Sequence, residues 1–262
     1  MPTKLNFFLL FWCSFFYTTQ ACQYSDPSTN ISEETKSTIM APSDSIPLLH
    51  LQLSNDSISF YHQYDSVKNK INTDRIVLYQ TYLKSTQKDS VLKNAGNYLH
   101  HAIVHNMLPF WYGTTWDFNG YTAMPRQGNI ACGYLVSTTL RQSGVQINRY
   151  KLAQQASAVI VKNTCSQIQT IKGLSNFLKF TSTLNDGLYV LGMDNHVAYL
   201  SIENGTAYLL HSSYLSPGVA CRESISNATV LLFSNSFVVG NLSHNPLLVK
   251  AWLTGQVLPI VP

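Results

Sequence analysis

The sequence predicts an α+β fold in which helices come first and an antiparallel sheet follows. Between about 58 and 181, apart from one loop, apolar residues recur at helical spacing. From Gly187 the period becomes strand-like, in Leu188-Tyr189-Val190-Leu191 and again in His196 to Ile202. Asn204-Gly205, a strong tight-turn signal, then joins that strand to Thr206–His211 as an antiparallel hairpin.

Composition narrows the class. Of 262 residues, 45% are hydrophobic and 11% charged, less than half the ~25% charged typical of soluble domains. A chain this apolar buries enough surface to fold, which excludes disorder. The net charge of +4 is too small and dispersed for a nucleic-acid footprint, so no nucleic-acid partner is expected. There are no heptads or long-period repeats. Five cysteines, at 13, 22, 132, 165 and 221, are too few for a disulfide scaffold and lack metal-ligand spacing.

The elements follow in order. Lys4, the apolar run Phe7 to Tyr17 and then Thr19-Gln20-Ala21-Cys22 describe a signal peptide over residues 1–21. The run is too short to span a bilayer, which takes ~20 apolar residues. With Cys22 directly after Ala21 the segment resembles a bacterial lipoprotein signal. That resemblance implies lipidation of Cys22, a membrane anchor and a place in the cell envelope; plain secretion, with Thr19-Gln20-Ala21 as the cleavage site, stays open. Residues 22–50, rich in Ser, Thr, Asp and Pro, read as a flexible tether. Residues 51–107 form a helical N-terminal part of two or three helices, with apolar positions such as Ile71, Leu78, Val91, Ala95 and Leu99. Residues 108–262 then form the second domain.

Residues 109–131 mix Gly and Pro with aromatic residues, which predicts a long loop lining a cleft. Trp111, Trp116 and Tyr121 in it form a sugar- or peptide-stacking wall, or simply pack the loop. A helix runs from Cys132 to Gln142 and is stopped by Gly144. Helices over 149–161, capped by Asn148, and over 166–181 come next, and further strands are expected at 228–233 and 235–240. Asn245-Pro246 starts a terminal helix that ends near Gly255.

Cys132 carries the sharpest chemical signal. At a helix N-terminus, unpaired N–H groups and the positive end of the dipole stabilise a thiolate, the nucleophilic form of cysteine. The same position also suits a small buried hydrophobe. His196, at a strand end in Asp194-Asn195-His196-Val197, has the chemistry to take the thiol proton and later protonate a leaving amine. His211, on the strand after the tight turn, is placed to fix the ring of His196, with Asn195, Ser212 and Ser213 as rival orienters. His100, His101 and His105 fall one helical turn apart without a carboxylate beside them in the sequence, so no metal site is expected.

The order of Pro-aromatic-x-aromatic-Gly, Cys at a helix start, His-Val at a strand start and His-Ser on the next strand resembles the NlpC-type cysteine peptidases. These are papain-fold hydrolases of bacterial cell walls, to which CHAP amidases are related. The resemblance covers about residues 108–214. It implies a papain-like fold with Cys132 as nucleophile, His196 as general base and His211 as orienting residue. It also implies a peptidoglycan stem peptide as substrate and no cofactor. Three features depart from the family pattern. Its Asp-Cys-Ser-Gly reads Ala131-Cys132-Gly133-Tyr134. Its site tyrosine aligns with Phe110, so that Tyr112 would replace it. The interval from Gly113 to the cysteine is longer than usual. Gln127-Gly128, five residues before Cys132, resembles the Gln-Gly of papain-type proteases, which implies Gln127 as an oxyanion donor. Two rivals remain: a non-catalytic surface-binding module on the same fold, and a thiol acyltransferase.

Overall fold

The computed structural model describes Leu53 and residues 55–262. The expected signal peptide, the Cys22 anchor and the tether lie outside the described residues. Among the described residues no helix is long and apolar enough to cross a membrane.

The chain begins with α1 (Ser57–Lys84), whose N-cap Asp56 accepts a hydrogen bond from the Ser59 N–H at 2.8 Å. Phe60, Tyr64, Val67 and Ile71 recur at three- and four-residue steps and, with Leu78 seven residues on, form the buried stripe. Asp74 falls on that stripe and is satisfied there by Lys70 (2.9 Å) and by the hydroxyl of Tyr98 (2.6 Å). Tyr98 belongs to α2 (Lys88–His101), which widens into a π-helical stretch, Ala102–Met107, before the short α3 (Leu108–Trp111).

Six strands form one fully antiparallel sheet: β1 (Ser166–Lys172), β2 (Gly187–Gly192), β3 (Val197–Glu203), β4 (Thr206–Ser212), β5 (Ala220–Ser224) and β6 (Ser236–Asn241), in the order β1-β6-β2-β3-β4-β5. The predicted α+β class, with helices preceding an antiparallel sheet, is what the chain adopts. Alternation along the strands gives two apolar faces. Val190, Tyr199 and Leu210 join the main core with the N-terminal helices, α4 (Cys132–Gln142) and α8 (Pro246–Thr254). Leu191, Leu200 and Leu209 join a second core beneath α7 (Leu174–Thr181), where Phe177 stacks on Phe237 at 4.4 Å. The main core draws on residues from Phe60 to Ile260, so the stretches 51–107 and 108–262 share one interior.

Several boundaries differ from expectation. The helix expected over 149–161 is two, α5 (Arg149–Ala153) and α6 (Ser157–Thr164); Asn148 does cap the first, accepting from the Lys151 N–H. The helix expected over 166–181 is β1 followed by α7, parted at Gly173, whose φ of 82° suits glycine. The first half, Ser-Gln-Ile-Gln-Thr-Ile-Lys, lies on the sheet edge beside β6 and is mostly exposed, so core periodicity is weak there. The strand expected at 228–233 is a 3₁₀ turn (Thr229–Phe233) that sinks Val230 and Leu231 into the second core and leaves Leu232 and Phe233 exposed. β5 was not anticipated. It carries polar Arg222-Glu223-Ser224 on the opposite edge, where no apolar alternation marks a strand. The terminal helix starts after the Asn245 cap and ends at the left-handed Gly255, as the sequence predicts.

Candidate active site

Cys132 is the first residue of α4, after an extended Ala131 that supplies no capping side chain. The backbone N–H groups of Val197, Gly133 and Cys132 itself face the sulfur. Gly133 is dictated by packing: a Cβ there would stand 2.6 Å from the carbonyl oxygen of Ala153, because the end of α5 abuts the start of α4. Gly192, at the end of β2, is equally confined, since a Cβ would lie 2.9 Å from the carbonyl carbon of Ser157. Between these contacts opens a cleft of roughly 450 Å³, a size that accepts a short peptide segment. Cys132, Gly133, Asn195, His196 and Val197 line it, opposite the chain between α5 and α6.

His196 is 3% exposed, immediately before β3. Its Nε2 lies 2.8 Å from Nδ1 of His211, and Nε2 of His211 lies 2.8 Å from Oε1 of Glu223 on β5. A carboxylate only accepts, so His211 Nε2 carries a proton and donates it. Nδ1 of a neutral His211 is then an acceptor, and His196 Nε2–H donates to it. His196 is left with a bare lone pair on Nδ1, which is buried without a hydrogen-bond partner among the described residues. The Cys132 sulfur is not yet bonded to that nitrogen, and such contacts often close only when substrate binds. The pairing of His211 with His196 agrees with expectation; Glu223 extends the chain by one carboxylate.

Electrostatics correct the expectation of a resting thiolate. Burial raises the Cys132 thiol above its ordinary value, and the three backbone N–H groups offset this only in part. Burial, then the repulsion that a second positive charge would meet beside the His211 ring, hold His196 well below the ordinary imidazole range. The resting pair is therefore a neutral thiol beside a neutral base.

The other expected site residues are dispersed. Asn195 lines the cleft and is exposed. Trp111 does not line it: the indole is fully buried and donates to the Tyr64 hydroxyl at 3.0 Å, because α3 drives it into the main core. Tyr112 is partly buried against that same core and is not in the cleft lining. Gln127 sits exposed in the loop, away from the cleft lining, so nothing places it as the oxyanion donor. Trp116 reaches the site indirectly. It packs on Tyr214 (6.1 Å between ring centres), and Tyr214 stands edge-on to His196 at 5.4 Å. Tyr121 is exposed and leans on Tyr134. Ser212 and Ser213 donate to the backbone carbonyls of Ile130 and Leu215 and do not orient His196.

Sequence reasoning missed Glu223 and Tyr214. Glu223 is in an unrecognised strand. Tyr214, in the loop after β4, has no motif to mark it; burial first, and repulsion from the Cys132 sulfur once that is ionised, push its hydroxyl up. Of the three helical histidines, His105 acquires a carboxylate through the fold, since Glu203 on β3 stands 3.4 Å from it, and the charge of Glu203 also reaches His100. Cys165 and Cys221 lie toward opposite ends of the sheet and are not joined by a disulfide. Comparison with protein-family models, with curated proteins and with solved structures gives no match for the chain.

Proposed function

We propose that this chain is a papain-like cysteine hydrolase of the NlpC type that cleaves an amide bond, with peptidoglycan stem peptides as substrate. The observation that carries the reading is the hydrogen-bonded series His196–His211–Glu223, which leaves one buried imidazole nitrogen bare on a histidine that shares its cleft with the helix-borne Cys132. In the proposed reaction the Cys132 sulfur attacks the amide carbon while His196 Nδ1 takes the thiol proton. In this reading the backbone N–H of Cys132 stabilises the developing oxyanion. The C–N bond breaks as His196 returns the proton to the leaving amine. Water, deprotonated by His196, then attacks the thioester, and the released sulfur is reprotonated. His211 and Glu223 hold the productive tautomer throughout. The substrate and an envelope location follow from the NlpC and lipoprotein-signal resemblances.

The test has two parts. Purified peptidoglycan is digested with wild type and with Cys132→Ala, and the muropeptides are read by mass spectrometry; new stem-peptide fragments with wild type alone are expected, and identical profiles would remove this substrate. Separately, an activated acyl ester should leave a thioester adduct on Cys132, seen in intact and peptide masses and absent from His196→Ala. If no adduct forms, Cys132 is not an acyl-accepting nucleophile.

A further inference from the structure

Cys221 takes no part in the proton relay, yet it stands directly opposite His211 in the β4–β5 register. Its sulfur lies 3.8 Å from His211 Nε2, the nitrogen that also meets Glu223 at 2.8 Å. Two residues apart on β5, Cys221 and Glu223 point to the same face. One donor atom from each of His211, Cys221 and Glu223 falls within 4.8 Å of the other two. His211 and Cys221 are buried, while the Glu223 side chain keeps 19% of its surface exposed, which leaves a path for an ion and a water.

Thiolate, imidazole and carboxylate together are the donor set of a borderline-soft divalent ion such as zinc; calcium and magnesium take oxygen shells instead. Around a tetrahedral zinc, neighbouring donor atoms are about 3.4–3.6 Å apart, from bond lengths of ~2.0–2.3 Å. Cys221 must close on His211 by a few tenths of an ångström and Glu223 must open by more than half of one, which side-chain rotation on two adjacent strands can supply.

We propose that His211, Cys221 and Glu223 form a binding site for a zinc-class divalent ion whose occupancy switches the catalytic relay off. The ion bonds to the lone pair of His211 Nε2, so the proton of that neutral ring must reside on Nδ1. His211 Nδ1–H then donates to His196 Nε2, and the proton of neutral His196 moves to Nδ1, the position needed as base. The number of imidazole protons is unchanged. The one proton released to solvent per ion comes from the Cys221 thiol as its sulfur bonds the metal. The effect on turnover rests on the thiol-hydrolase reading; the binding of the ion does not.

The full chain is titrated with cobalt(II), then with zinc(II) as competitor, following the sulfur-to-cobalt charge-transfer absorption. One cobalt per chain is expected, with the band present in Cys132→Ser and absent from Cys221→Ser, and with affinity about tenfold or more weaker in Glu223→Gln. X-ray absorption of the zinc-loaded wild type, which needs no variant, should show one sulfur among nitrogen and oxygen ligands. Absence of the band, its survival in Cys221→Ser, or its loss in Cys132→Ser overturns the site. Zinc should also stop acyl-ester turnover of wild type at the concentration where it binds, while the turnover of Cys221→Ser, read against its own metal-free rate, should be unchanged by zinc at that concentration. Binding without loss of turnover overturns the switch. A wild type with no metal-free turnover that still shows the cobalt band fails the hydrolase reading and upholds the site.

Discussion

Cys132 has the helix-terminal position of an activated thiol without its electrostatics. Three N–H groups around the sulfur favour the thiolate, but the cost of burying a charge is larger, and His196 is also kept neutral. Activation must then accompany attack, with His196 removing the proton as the S–C bond forms. Alkylation of Cys132 by iodoacetamide should therefore keep accelerating with pH beyond 9, the ordinary thiol value. A rate already level across neutral pH would reveal a preformed thiolate–imidazolium pair and contradict this account. His211 works through its neighbour, so its removal should spare binding. In His211→Phe the Nε2 of His196 loses its acceptor and with it the selected tautomer. A fall in kcat of roughly 10²–10⁴ with little change in KM is expected, and an unaltered kcat would exclude His211 as the orienting group.

At the scale of elements, the site depends on how closely α4 is held. The α5 carbonyl of Ala153 rests against Gly133 of α4, and the start of α6 rests against Gly192 of β2, so four backbone segments fix the mouth of the cleft. Gly133→Ala places a methyl group at 2.6 Å from that carbonyl, and α4 or α5 must move. Overpacking of this kind costs about 1–3 kcal/mol, which a urea unfolding midpoint measures. The same displacement carries the Cys132 N–H away from the oxyanion position, so acylation should slow more than it does in a surface variant of equal stability. The β4–β5 pair is the other determining element. Without β5, His211 has neither Glu223 nor Cys221 beside it.

Across the whole molecule, the N-terminal helices are bound to the sheet through polar as well as apolar contacts. His100 on α2 meets the Ser201 hydroxyl on β3 at 2.9 Å, near Glu203, His101, His105 and His244. Burial, opposed by Glu203 and reinforced by the neighbouring histidines, lowers His100 to about 4 from an ordinary 6.5. The folded value is depressed, so the unfolded chain binds a proton that the folded chain refuses. The associated stability is complete above pH 6.5 and is lost as pH falls towards 4. Between pH 7 and 4.5 this residue should cost the fold about 2–3 kcal/mol. Urea unfolding of wild type and His100→Gln at both pH values isolates its share: the variant should lose less stability on acidification by that amount. An equal loss in both proteins would show that His100 is not the group responsible.

Much of this was open to reading in the chain itself. Helical spacing, the Asn148 and Asn245 caps and the Asn204-Gly205 turn are local signals, set by neighbours a few residues away. The order of Cys132, His196 and His211 was visible for the same reason, each lying at the start of an element or just past a turn. Tertiary structure alone decided the rest. Sheet order put the polar edge strand β5 beside β4, and so supplied Glu223 and Cys221, which no periodicity announces. The descent of α3 into the core removed Trp111 from any binding role, and the path of the loop kept Gln127 out of the cleft. Burial, a property of the whole fold, turned an expected thiolate into a neutral thiol, because desolvation is summed over every atom packed around the sulfur and not over its neighbours in sequence.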